Sequence, residues 1–212
     1  MSQFEQRSPR RVRENGRGAA KRRKILDAAV RVIGAGGLAS LTLRAVAEAA
    51  DVPLGSMTYY FRDRDELVDQ TMAYAVAIER RRMTGLLATS APMAAKLAPA
   101  RPTLDESVDL LTVIFLDKTI ADPLYDLALF EMFMEATRNP ALRQRTIEWS
   151  ALIAQIVDRV LPATDPVLPR SMAVEIVAAL IDGLMLESAS NQQLTLPELA
   201  AHLRATIERL MA

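Results

Sequence analysis

Apolar residues recur at spacings of three and four along most of this 212-residue chain, and this spacing constrains the fold more than any other feature. Ile25, Ala28, Ala29, Val32 and Ile33 show it at the start of the ordered pattern. No segment alternates as a half-buried strand would. We therefore predict an all-α protein, with helices near residues 19–33, 43–50, 54–60, 65–84, 104–121, 123–138, 141–161, 169–190 and 196–211.

Charge divides the chain into two unlike parts. Residues 1–64 carry 13 Lys/Arg against 6 Asp/Glu, a net charge of +7, whereas residues 65–212 carry 13 against 20, a net charge of −7. A basic module on an acidic body is typical of polyanion binding, and a disordered basic tail is the alternative. We expect a disordered basic arm at 1–17, a small basic domain at 18–67 that would bind a polyanion such as DNA, and a larger domain at 68–212.

Several kinds of chemistry are excluded by composition. The chain has no cysteine and a single histidine, so a disulfide, a catalytic thiolate and a metal site built on these ligands are ruled out. Motifs for phosphate binding or nucleophilic catalysis are also missing, so neither an enzyme nor a cofactor is expected. The N-terminus lacks the apolar core of a secretory signal and no apolar run could span a bilayer, so we expect no membrane association and a cytoplasmic location.

The segment from Thr42 to Leu67 carries the strongest local pattern. Thr42 is suited to cap a short helix, and the sequence at Asp51 to Pro53 breaks that helix before a second one starts at Leu54. Two short helices around a tight turn favour a helix-turn-helix, in which the second helix enters the DNA major groove. A helical hairpin inside a core has the same periodicity, so spacing alone leaves both interpretations open.

Residues 22–67 strongly resemble the DNA-binding domain of the TetR family of regulators. The resemblance includes the helix-one sequence KILDAAVRVIGAGG, Thr42, Gly55-Ser56-Met57, Tyr60-Phe61, and Arg64 followed by Glu66-Leu67. Asp51 replaces the usual turn glycine, Thr58 a frequent tyrosine, Arg64 a frequent lysine and Pro53 a frequent serine cap.

The resemblance implies a DNA-contacting surface within this segment. We expect Thr42 and Arg64, which start helices, to hold phosphates, and Arg44 to reach either a phosphate or a base. The exposed start of the second short helix would read base edges, while Tyr60 and Phe61 would pack inside. The predicted contact residues are Thr42, Arg44, Leu54, Gly55, Ser56, Thr58, Tyr59 and Arg64.

For residues 68–212 the resemblance implies a ligand-binding and dimerisation domain. Candidate ligand contacts are the aromatic and methionine residues Phe115, Phe130, Phe133, Met134 and Trp149. Acidic residues on the same helices, Asp109, Asp117, Glu131 and Glu135, could orient a cation, although such residues usually face solvent. Candidate dimer contacts are Ala179, Gly183, Leu199, Leu203 and Leu210, with burial in the protomer's own core as the alternative.

These features predict a ligand-responsive transcriptional regulator. We expect a homodimer that represses from a palindromic operator in double-stranded DNA and is released by a small-molecule effector, with the fourth helix transmitting the signal. A dimeric DNA-binding protein without an effector is the main alternative. A small helical enzyme is a weaker one, since no catalytic constellation is evident.

Overall fold

The computed structural model describes residues 16–89, 101–117, 122–162, 168–191 and 194–211, and within these ranges the protein is helical with no strand. The predicted all-α class is confirmed. The helices are α1 (Gly16–Gly36), α2 (Leu43–Ala49), α3 (Leu54–Tyr60), α4 (Arg64–Thr89), α5 (Leu104–Leu111), α6 (Pro123–Ala136), α7 (Arg143–Val160), α8 (Arg170–Asn191) and α9 (Leu196–Met211).

Three short helical turns supplement these elements. Single 3₁₀ turns occupy Leu38–Ser40 and Pro140–Leu142, and a π-helical turn at Thr112–Leu116 follows α5 directly. The helix expected at 104–121 therefore changes its hydrogen-bonding pattern at Thr112, and residues 118–121 lie outside the described part. The predicted basic arm also lies outside it, except that α1 already begins at Gly16.

Local capping explains why several helices begin where they do. Asp122 accepts a hydrogen bond from the Leu124 N–H at 3.1 Å, and Pro123 follows at the first helical position. At the start of α4, Asp63 accepts from the Glu66 N–H at 2.8 Å. The Glu66 carboxylate accepts from the Arg62 N–H instead of that of Asp63, so the reciprocal half of a capping box is displaced by one residue.

The first three helices form a small unit that packs on the larger helical body. α1 makes its most extensive contacts with α6, and it also contacts α2 and α4. Gly34 permits this packing because a Cβ at that position would overlap the backbone carbonyl of Leu124. The helix predicted near residues 19–33 continues to Gly36, and Gly34 lies within it and provides space for α6.

The apolar faces of both units merge into one buried core. Its largest fully buried side chains include Phe61 and Met57 from the small unit and Met72, Leu111 and Met132 from the body. None of the helices in the described ranges has both the length and the hydropathy needed to cross a membrane. This shared core holds the small unit, including Met57 of α3, to the helices of the body.

Candidate DNA-binding surface and ligand cavity

The turn before α3 depends on an unusual backbone conformation at Asp51. Its φ of 48° lies in the left-handed region, which aspartate tolerates better than most residues and which a turn glycine would also adopt. The Val52 N–H then donates to the Ala47 carbonyl at 2.9 Å, and Pro53 occupies the N-cap of α3. Replacement of the family's turn glycine by Asp51 is thus compatible with the turn.

The inward side of α3 is fixed by two buried residues, Met57 and Phe61. Its outward side presents Leu54 and Tyr59, which are 51% and 70% exposed. The Tyr59 ring contacts only the edge of Tyr60, with centroids 5.0 Å apart. Tyr60 is half-buried against the core, as expected for a packing aromatic, and Tyr59 points away from it.

Small and polar residues complete this surface of α3. Gly55 is exposed, and a Cβ there would meet no atom within 4 Å, so the fold itself does not require glycine. The Thr58 hydroxyl donates to the Gly55 carbonyl at 3.1 Å, and the Ser56 hydroxyl accepts from Lys21 Nζ at 3.1 Å. Lys21 therefore brings a positive charge from α1 to the edge of α3.

The helix N-termini hold the remaining predicted contacts. Thr42 Oγ1 accepts from the Ala45 N–H at 3.0 Å, which leaves its hydroxyl proton free to donate outward, and Arg44 is exposed beside it. Arg64 has a role that the sequence did not indicate. Its guanidinium donates to the carbonyls of Leu41 at 3.0 Å and Leu38 at 2.8 Å, which ties the start of α4 to the turn before α2.

A cavity of about 400 Å³ opens between α6, α7 and α8. Three predicted ligand contacts, Phe130, Phe133 and Trp149, line it, whereas two others do not. Phe115 is buried in the core, and Met134 on α6 is 59% exposed to solvent. The remaining lining residues, which sequence reasoning missed, are Ala136, Thr137, Thr146, Ser150 and Asp182.

Asp182 is the charged member of this lining. It is partly exposed, but surrounding protein displaces enough water that burial raises the pKa of its carboxyl to about 6. A sequence signal for it existed, since Asp182 is the single charged residue between Ile176 and Leu186 on a strongly apolar helix. The acidic residues weighed for cation binding lie elsewhere: Glu131 accepts from the Leu38 N–H at 3.1 Å, for example.

The candidate dimer contacts fall into two groups. Ala179 and Gly183 are exposed on α8, as an interface would require. Leu199 and Leu203 are buried in the protomer's own core, and Leu210 packs partly against that core. Leu199 and Leu203 are therefore already covered within one protomer and are not available to a partner, whereas the expectation for Leu210 stays a prediction.

The exposed α3 on a turn-linked helix pair, joined to a separate helical body with a cavity, defines the class of one-component helix-turn-helix regulators. Comparison with family models identifies the family. Residues 25–71 match the bacterial regulatory proteins of the tetR family, and residues 102–212 match the tetracyclin repressor-like C-terminal domain. The chain belongs to the TetR family of transcriptional regulators, which are not enzymes.

Individual relatives cover most of the chain. The transcriptional regulator BetI of Burkholderia thailandensis is 29% identical over 175 residues, which span 80% of this chain and 82% of BetI. The crystal structure of the multidrug binding protein EbrR complexed with ethidium is 29% identical, with a TM-score of 0.62 over 91% of this chain and 99% of EbrR. A TetR-family structure from Mesorhizobium loti is 16% identical and has a TM-score of 0.70, over 92% of this chain and 97% of the Mesorhizobium chain. This likeness concerns the fold alone.

Proposed function

We propose that this protein is a repressor that binds a palindromic operator as a homodimer and leaves it when a small molecule enters the cavity. The observation that carries the proposal is the outward face of α3, where Leu54 and Tyr59 are large, exposed side chains. Side chains of this kind at the start of a recognition helix are suited to contact base edges and thymine methyl groups.

We assign the DNA contacts to two kinds of residue. Thr42 and Arg44 at the start of α2 would hold phosphates, since a helix N-terminus adds N–H donors to their side chains. Arg64 would act mainly by holding α4 against the carbonyls of Leu38 and Leu41, and a phosphate contact would be additional. The base-reading set is Leu54, Gly55, Ser56, Thr58 and Tyr59, with Gly55 allowing close approach to the duplex.

The proposed homodimer forms through α8. Exposed apolar and small side chains follow one side of this helix: Met172, Ile176, Ala179, Gly183 and Leu186. Met172 and Leu186 are 47% and 52% exposed, and so continuous an apolar face on a surface helix is typical of a protein contact. Two copies joined in this way would present two α3 helices to two half-sites of one operator.

We propose that the signal from the cavity reaches the DNA-binding unit through α6 as well as α4. Phe130 and Phe133 of α6 line the cavity, and Tyr125 of the same helix donates a hydrogen bond to Asp27 of α1. For α4 the link is an ion pair between Asp69 and Arg145 of α7, at 2.9 Å. A shift of either helix on ligand entry would move α1 to α3 relative to the partner protomer.

The assignment of a small-molecule effector is supported by the cavity, whose volume of about 400 Å³ and largely apolar lining are usual for ligand sites. It is also supported by the likeness to EbrR, whose structures hold ethidium and proflavin. Because the proposed partner is chromosomal DNA, we place the site of action in the cytoplasm as part of the same proposal.

Selection from random DNA duplexes followed by fluorescence anisotropy tests the proposal. We expect a palindromic consensus bound by a protein dimer, and release of the duplex by compounds that raise the thermal stability of the free protein. Leu186→Glu on α8 should yield a folded monomer with much weaker operator binding. If expression of a reporter gene behind the operator falls, rather than rises, when the regulator is deleted, repression is contradicted.

A further inference from the structure

The lining of the cavity between α6, α7 and α8 combines one carboxylate with neutral groups. Asp182 forms no ion pair or hydrogen bond with any residue in the described ranges, and the other lining residues carry no charge. A carboxylate that is partly withdrawn from water without a cation is destabilised in its charged form. The site therefore gains more from binding a cation than a fully solvated aspartate would.

A second lining residue has an unused hydrogen-bonding group. Trp149 is 4% exposed, and its Nε1 is a buried donor without an acceptor in the described part of the chain. A buried indole N–H usually has a partner, and leaving it unpaired is costly. Because Nε1 itself is covered, the ring must shift on ligand entry for its N–H to reach the cavity, and an acceptor atom on the ligand would then supply the missing partner.

Aromatic rings form the third element of the site. The rings of Phe133 and Trp149 lie 5.9 Å apart at an interplanar angle of 49°, and Phe130 lines the same cavity. The faces of tryptophan and phenylalanine attract organic cations through their quadrupoles, tryptophan most strongly. With centroids 5.9 Å apart the two rings pack against each other, and both contribute aromatic surface to the cavity wall.

We propose that the effector of this cavity is an organic cation with an aromatic body and a hydrogen-bond acceptor, bound by Asp182, by the aromatic rings and by the Trp149 indole N–H. This inference rests on the proposed function for its consequence at the operator, but not for ligand binding itself. Anionic ligands such as fatty acids are disfavoured by Asp182. A neutral aromatic ligand would contact the rings but leave the carboxylate uncompensated.

Three matched probes separate these contributions. Para-acetylphenyltrimethylammonium has the cation, the ring and an acceptor; phenyltrimethylammonium lacks the acceptor; para-tert-butylacetophenone is the neutral isostere of the first. Binding to the full-length protein without DNA is measured by calorimetry and by fluorescence of Trp149, the single tryptophan of the chain. We expect the first probe to bind most tightly and the neutral isostere to bind roughly tenfold or more weakly.

Two variants assign these preferences to residues. Asp182→Asn should abolish the preference for cation over neutral isostere, whereas Glu175→Gln, a matched change at an exposed position of the same helix, should retain it. Trp149→Phe, followed by calorimetry, should remove the advantage of the acetyl group and keep the cation preference. Thermal unfolding of each variant confirms that it is folded.

The proposal is overturned if the neutral isostere binds the wild-type protein as well as the cation does, or if Asp182→Asn leaves the cation preference unchanged. The proposed function fails in a different way. Tight cation binding that leaves operator affinity unaltered would contradict ligand-controlled repression while supporting this site. Release of the operator by neutral compounds alone would support ligand-controlled repression while contradicting the cation site.

Discussion

The Tyr125 hydroxyl donates a hydrogen bond of 2.5 Å to the carboxylate of Asp27 and so joins α6 of the helical body to α1 of the DNA-binding unit. Burial first, and then the hydrogen bond to Asp27, raise the pKa of Tyr125 well above its ordinary value, so the phenol remains a donor. Arg31 completes the junction, because its guanidinium forms ion pairs with the carboxylates of Asp27 at 3.2 Å and Asp122 at 3.1 Å. The two units are thus connected by directional contacts besides apolar packing.

Tyr125→Phe should weaken this junction without unfolding the protein. The acceptor of the lost hydrogen bond is a charged carboxylate, so we expect the free energy of unfolding to fall by about 1 to 3 kcal/mol. We also expect the ligand to have a smaller effect on operator affinity. Ligand binding to the free protein should stay unchanged, because Tyr125 does not line the cavity. The control is Arg138→Ala, which removes an exposed ion pair with Glu135 near the end of α6 and should alter neither quantity.

Gly34→Ala should be strongly unfavourable, because its Cβ would overlap the Leu124 backbone and push α6 away from α1. We expect a loss of about 1 to 3 kcal/mol in the free energy of unfolding, as for other overpacked contacts. Gly85→Ala, near the C-terminal end of α4, is the matched control. A Cβ there meets nothing within 4 Å, so alanine should stabilise the helix by up to about 1 kcal/mol. Equal Tm values for the two variants would contradict the close contact.

Tyr59 and Arg64 should differ in how their loss affects DNA binding. Tyr59→Ala should weaken the operator selectively, by about 1 to 3 kcal/mol, if its exposed side chain reads a base. Arg64→Ala should weaken operator and random DNA by similar factors and also lower the Tm, because Leu38 and Leu41 lose their donors. Competition titrations with both duplexes provide the measurement. Unchanged discrimination by Tyr59→Ala would place the reading surface elsewhere on α3.

Asp182 predicts a pH dependence of cation binding. Since burial raises the pKa of Asp182 to about 6, its carboxyl is charged at pH 8 and mostly neutral at pH 5. The affinity for phenyltrimethylammonium, whose charge is permanent, should therefore fall by about tenfold between these values. The raised pKa has the opposite consequence for folding: the stability that it contributes at low pH is lost as the pH rises through about 6. Both dependences should disappear in Asp182→Asn.

The DNA-binding unit could be predicted closely because its signals are local. Thr42 caps α2 by bonding the Ala45 N–H, and Pro53 fixes the residue before α3, so the sequence itself defines where each helix starts. Asp51 adopts the left-handed conformation that the turn requires, which follows from its residue type. The exposure of Tyr59 and the packing of Phe61 then follow from their helical positions.

The helical body was predicted less well because its contacts are set by packing between distant elements. The α9 stripe that includes Leu199 and Leu203 has the same periodicity whether it faces a partner or the protomer's own core. Phe115 and Phe133 are likewise the same residue type, and both lie in segments predicted to be helical. Only Phe133 lines the cavity. Arg64 shows the same limit within the DNA-binding unit, since its acceptors are carbonyls more than twenty residues away.

The use of α6 at two places along its length has an evolutionary consequence. Its C-terminal half supplies Phe130 and Phe133 to the cavity, and its first turn holds Tyr125 against Asp27. A substitution on α6 that adapts the protein to a new ligand would also risk altering its response at the promoter. We expect ligand preference to diverge among descendants of this protein mainly through α7 and α8, where Thr146, Ser150 and Asp182 can change while the junction with α1 is inherited intact.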